Sequence, residues 1–175
     1  MSKDPLEKLR EGNRRYLRAA DQALLAETAK NGQHPYAIIV CCSDSRVIPE
    51  QIFSASVGDL FVIRVAGNVL DNHQLGSIEY AAAHLRCRLV VLLGHTGCGA
   101  VHAALDGHAD GFLSYIAEDI LAAVGTQRDP QAACRLNVLH GVNRIRQEFA
   151  AHPEIGEIDV RGAIYELESG AVEWL

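Results

Sequence analysis

No stretch of this sequence approaches the roughly 18 consecutive apolar residues that a membrane-spanning helix needs, so no membrane partner is expected. Positive charge is scarce too. Lysine and arginine total 16 against 22 acidic residues, a formal net charge of −6. That balance supplies no general basic field for nucleic acid or anionic lipid. Internal repeats, low-complexity tracts and linker-like runs are missing, which leaves no place to cut the chain into domains. The opening residues, MSKDPLEKLREGNRRYLRAA, are charged and lack the apolar segment of a secretory signal. The five cysteines (Cys41, Cys42, Cys87, Cys98 and Cys134) are an odd number. A chain of this length buries a core without cross-links, so they are read as reduced thiols in a cytoplasmic protein.

The 175 residues are 49% hydrophobic and 22% charged, the make-up of an ordinary soluble domain. Three continuous apolar runs, YAIIVC at 36–41, LFVIRV at 60–65 and LVVLLG at 89–94, read as strands buried on both faces, the parallel type. Helical spacing marks 75–85, and 98–105 and 111–124 also read as helices. A long helix spans 128–153, with Asp129 as N-cap, Pro130 in the first turn and Pro153 as the stop. The segments 158–167 and 171–175 read as a closing hairpin. Residues 5–20 carry Leu6, Leu9, Tyr16, Leu17 and Ala20 near helical spacing, an amphipathic helix that packs on its own domain or on a second subunit. The expectation is one α/β domain over 1–175: a mainly parallel central sheet flanked by helices, a helical arm at 1–32 and a C-terminal β-hairpin.

Ligands in such sheets bind beyond the carboxyl ends of the strands. Two strand ends here are rich in chemistry. CCSDSR at 41–46 follows the first, and GHTGCG at 94–99 follows the third. Cys42, His95 and Cys98 make a set of two thiolates and one imidazole suited to zinc. Three protein ligands leave a fourth position open, the catalytic pattern. Asp44 is near enough in sequence to close that position as an oxygen ligand, and Arg46 could instead hold it away through a bidentate pair. Two other readings stay open: a closed structural zinc site, and a Cys41-x4-Arg46 loop that cradles an anion or persulfide. Of the remaining histidines, His34, His102, His108, His140 and His152 are expected to be solvated and His84 partly buried. His73 is a candidate proton carrier near the cleft.

CSDSR followed by GHTGCGA resembles the β-class carbonic anhydrases, with their Cys-x-Asp-x-Arg and His-x-x-Cys motifs. GDLFVIRVAGNV, GSIEYAAAHL and GAIYELESGAVEWL are similar to the same family, so the resemblance runs from about Leu6 to Leu175. It implies one Zn2+ per chain on Cys42, His95 and Cys98, with Asp44 and Arg46 as a catalytic dyad. It implies substrate contacts from Gln33, from the Gly99 backbone N–H, and from Phe61 and Ala66 in an apolar wall. The implied activity is reversible hydration of CO2 to bicarbonate and a proton by a zinc-bound hydroxide. The implied assembly is a homodimer or higher homo-oligomer whose N-terminal arm packs on the partner. Hydrolases of CS2 or COS share the fold and the zinc motifs, and a non-catalytic zinc-stabilised binding protein is a further alternative. The chain departs from many members at Val65, Ala66 and Gly67, and its one tryptophan is Trp174.

Overall fold

Alternation along the first strand decides how the sheet is covered. The computed structural model describes residues 4–175. In β1 (Ala37–Cys41) every residue is buried. Ile38 and Val40 enter one apolar cluster, whereas Ile39 and Cys41 enter another, on the opposite face. Successive side chains point to opposite faces of a strand, so a strand buried on both faces shows no polar positions. β1 pairs in parallel with β2 (Leu60–Arg64) on one side and with β3 (Leu89–His95) on the other. β3 continues in parallel to β4 (Asp159–Tyr165), and β5 (Val172–Trp174) closes the sheet antiparallel. The order is β2-β1-β3-β4-β5, the mainly parallel sheet with a terminal hairpin that the apolar runs imply.

The helices α4 (Asn72–His84), α5 (Gly99–Leu105), α6 (Leu113–Val124) and α7 (Pro130–Ala150) all contribute to the larger cluster, through residues such as Ile78, Val101, Ile120 and Val138. The other cluster holds Val47 and is flanked by Ile52, Phe53 and Leu167. α7 lies close on the sheet. A Cβ on Gly94 of β3 would stand 2.5 Å from Val138 Cγ2, and one on Gly141 of α7 would strike Leu92 Cδ2. Glycine at these two positions lets helix and strand approach, and the approach fixes the end of β3 that carries His95.

The chain divides after Gln33 into two compact units. The first contains α1 (Pro5–Ala19) and α2 (Gln22–Asn31). α2 has no counterpart in the apolar spacing of the sequence. Its start is set by a cap: the Asp21 carboxylate accepts from the N–H groups of Ala23 and Leu24, each at 3.0 Å. The four-residue α3 (Pro49–Ile52) was likewise too short to show a period. α7 begins at Pro130 with Asp129 accepting from Ala132 N–H at 2.8 Å, as expected. It ends at Ala150, however, and Pro153 opens a separate 3-10 turn rather than stopping the helix. His84 is exposed rather than partly buried, its ring 5.3 Å from that of Tyr80. No helix among the described residues is long and apolar enough to cross a membrane.

Candidate metal centre

β1 and β3 are neighbours, and Cys41 pairs with Leu93 at their carboxyl ends. The chain leaves β1 at Cys42. It leaves β3 at His95, turns through Gly97 in a left-handed conformation (φ +63°), and re-enters α5 with Cys98 as the N-cap. Two adjacent strand ends therefore deliver three side chains to one point. One donor atom each from Cys42, His95 and Cys98 lies within 4.8 Å of the other two, and all three residues are buried. The two Sγ atoms are 4.0 Å apart. A tetrahedral zinc with sulfurs at about 2.3 Å needs them about 3.8 Å apart.

The imidazole is set by its other nitrogen. His95 Nδ1 lies 2.9 Å from the Thr96 carbonyl, an acceptor only, so Nδ1 carries the proton and donates. That tautomer leaves a lone pair on Nε2, which is buried without a hydrogen-bond partner. An orphaned buried acceptor facing two thiols is what a metal ligand looks like without its ion. The thiols respond to each other. The hydrogen bond from Cys98 holds Cys42 well below the ordinary thiol value, while the same contact and burial push Cys98 up. Soft donors, tautomer and spacing all fit zinc.

Asp44 stands beside this set, tied to Arg46. Its Oδ1 accepts from the Arg46 backbone N–H at 3.0 Å and from Nε at 2.9 Å, and its Oδ2 accepts from Nη2 at 2.7 Å. These side-chain bonds hold the Asp44 carboxyl well below the usual carboxylate range. Oδ2 is 3.9 Å from His95 Nε2, close to the ligand set but outside hydrogen-bond distance. The turn carrying both residues is clamped from β2: Arg64 donates to the carbonyls of Cys42 at 3.3 Å and Asp44 at 2.7 Å.

Residues 37–172, which include every side chain of this cluster, match the carbonic anhydrase family profile. The fold superposes on a β-carbonic anhydrase of Aspergillus fumigatus with a TM-score of 0.83 at 30% identity, covering 98% of this chain and 91% of that one. The chain belongs to the β-class carbonic anhydrase family. Carbonic anhydrase 2 of Mycobacterium tuberculosis is 46% identical over 110 residues, 60% of this chain. The match spans 53% of that relative, about half its length. One of two tetrameric β-carbonic anhydrases of Sordaria macrospora aligns over 97% of this chain and 96% of its own, with a TM-score of 0.77 at 26% identity.

Of the other residues marked by the family resemblance, Gly99 and Ala66 adjoin residues of this cluster. Gly99 opens α5 directly after Cys98, and its N–H belongs to the first helical turn, which has no intrahelical partner. Ala66 begins the 3-10 turn 66–68, whose next residue, Gly67, donates its N–H to Cys42 Sγ at 3.4 Å. Phe61 pairs with Ile38, three positions before Arg64 at the end of β2, with its ring 6.1 Å from that of Tyr80. Three strand residues span about 10 Å. Gln33 ends the first unit. His73 is exposed in the first turn of α4, 3.6 Å from the Asp71 carboxylate. Arg64 and Asn137 were not singled out from the sequence, and Gly67 only as a departure from the family pattern. Arg64 had a visible signal, a lone charge ending an apolar strand. So did Asn137, an amide in the apolar stripe Cys134, Val138, Gly141 of α7.

Proposed function

We propose that this protein is a zinc-dependent carbonic anhydrase that reversibly hydrates CO2 to bicarbonate and a proton. The observation that carries the reading is the state of Asp44. Its two oxygens are engaged by Arg46, so the ligand set is two sulfurs and one nitrogen with a position to spare. Cys42, His95 and Cys98 would hold zinc, which when bound would supply the Lewis acidity that makes a water nucleophilic near neutral pH.

The chain's own residues do the rest. Asp44, ionised, accepts a hydrogen bond from the nucleophilic water and aims its lone pair at carbon. Arg46 keeps Asp44 ionised and off the metal. The Gly99 N–H donates to a substrate oxygen, and Ala66 lines an apolar wall for a substrate without charge. Phe61, about 10 Å back along β2 from Arg64, packs against the apolar cluster that also holds Cys42 and Cys98 and extends that wall. The functional unit is a homodimer or larger, with α1 and α2 packing on the partner and Gln33 meeting substrate. No residue of α1 is buried, so its apolar face is free to serve that contact. The five free thiols support a cytoplasmic location, where thiols stay reduced.

Stopped-flow hydration of CO2 tests the reading, run with and without a chelator and beside CS2 and COS. Activity that disappears with zinc and returns with it is the expected result. Background rates of CO2 hydration from protein carrying one zinc per chain would refute it, and turnover of CS2 or COS alone would move the activity to those substrates.

A further inference from the structure

The thiolate of Cys42 is held from behind as well as from the front. Gly67 donates its backbone N–H to Cys42 Sγ at 3.4 Å. The conformation that aims this N–H is an unusual one. Gly67 is left-handed (φ +68°), and Asn68 follows at φ +46°, a region non-glycine residues seldom enter. Side-chain space is closed there too. A Cβ on Gly67 would stand 2.9 Å from Ile120 Cδ1 and 3.2 Å from Ala100 Cβ. A turn bent this way needs an anchor. One comes from seventy residues away: the Asn137 side-chain amide donates to the Gly67 carbonyl at 2.8 Å. Asn137 is buried in the middle of α7, on the stripe that otherwise packs against the sheet. An amide in that stripe costs solvation unless its hydrogen bonds are made.

We propose that Asn137 is a positioning residue for the metal centre, acting through Gly67: it fixes the turn so that the Gly67 N–H stays on the Cys42 sulfur. The proposal rests on the reading of Cys42 as a zinc ligand. A peptide N–H on a thiolate draws charge from the sulfur. The sulfur then donates less to the metal, and more positive charge is left on the ion. Hydrogen bonds to ligating sulfurs tune metal centres in this way elsewhere. Two thiolates would otherwise neutralise a divalent ion, so a device that withholds part of their charge suits a site whose work is Lewis acidity. The device belongs to the tertiary structure. α7 carries the anchor, the turn after β2 carries the donor, and β1 delivers the ligand.

Wild-type protein loaded with spin-active cadmium provides the first test by NMR. Scalar coupling from cadmium to the Cys42 Hβ protons reports ligation. Coupling from cadmium to the Gly67 amide proton reports the N–H···S bond. Coupling across the hydrogen bond from the Asn137 side-chain nitrogen to the Gly67 carbonyl carbon reports the anchor. All three are expected. Absence of the first overturns the zinc reading and the proposal with it. Presence of the first without the Gly67 and Asn137 couplings overturns the proposal alone.

Variants then test the consequence. Asn137→Leu and Asn137→Ser are expected to bind zinc about 10–100-fold more weakly, the usual effect of losing an outer hydrogen-bond partner, because the turn that holds the Cys42 sulfur in place loosens and this loss of positioning outweighs the gain in sulfur donation. In their cobalt-substituted forms, the thiolate-to-metal charge-transfer band should move to longer wavelength. Ile145→Val is the control, a buried change two turns further along α7. It should lower the melting temperature and leave affinity and band where they are. A folded Asn137 variant with wild-type zinc affinity and an unmoved band would overturn the proposal.

Discussion

Replacing Asp44 with asparagine separates its chemistry from its packing. Asparagine keeps one oxygen, which can stay at the Oδ1 position and accept from the Arg46 backbone N–H at 3.0 Å and from Nε at 2.9 Å. The amide nitrogen then takes the place of Oδ2, where it meets Arg46 Nη2, donor against donor, at the present 2.7 Å. One arm of the fork is lost, but the turn remains clamped by Arg64 through the carbonyls of Cys42 and Asp44. The fold and the three metal ligands are therefore expected to survive. What disappears is the anionic oxygen 3.9 Å from His95 Nε2, the atom assigned to accept a hydrogen bond from the attacking water. Loss of a positioned acid–base group usually costs about 10²–10⁴-fold in turnover, equivalent to about 3–5 kcal/mol in the barrier. Stopped-flow CO2 hydration measures it, with zinc content determined on the same samples. The pH dependence adds a check. Arg46 depresses the Asp44 value in the folded protein, so its contribution to stability is present above the ordinary carboxylate range and is lost only as pH falls below it. Asp44 is ionised across any neutral assay range, and the asparagine variant should be slow at every pH there rather than on one limb. A variant with full zinc and wild-type turnover would leave Asp44 as no more than a partner for Arg46. A variant that loses zinc would make Asp44 a ligand.

Cys42→Ser, His95→Ala and Cys98→Ser should each lose bound zinc by elemental analysis, whereas Cys41→Ser should keep it. Cys41 faces the opposite cluster of the sheet, and zinc loss from Cys41→Ser equal to that from Cys42→Ser would show that the register is wrong. Burial pushes the Cys41 thiol up to about 12, so the unfolded chain ionises there first and the stability tied to the neutral thiol falls as pH rises above about 9. The stability difference between wild type and Cys41→Ala should therefore narrow by about 2 kcal/mol from pH 8 to 10.5 in urea titrations, and a difference independent of pH would contradict the assignment. Light scattering should give a mass of at least two chains, and a 19.0 kDa monomer that hydrates CO2 at full rate would remove the second chain from the functional unit.

How much could be read in advance depends on how far apart the interacting residues lie. The central strands were legible because a parallel strand buried on both faces has no reason to alternate, and YAIIVC, LFVIRV and LVVLLG do not. The metal ligands were legible because three soft donors follow two of those strands, and strand ends in a parallel sheet converge on one edge. Short elements were not. α2 is set by the Asp21 cap, and α3 is a single turn behind Pro49. What the sequence by itself determined is the sheet, its hairpin and the donor set Cys42, His95 and Cys98, because burial period and ligand chemistry are local properties. Tertiary structure chose between the two fates the sequence offered Asp44, pairing it with Arg46, and it alone decided that Arg64 clamps the turn from 22 residues away. It alone placed Asn137 on the carbonyl of Gly67 across 70 residues. Hydrogen bonds between distant segments depend on where the folded sheet and helices bring two backbones together, and no local pattern of side chains encodes that meeting.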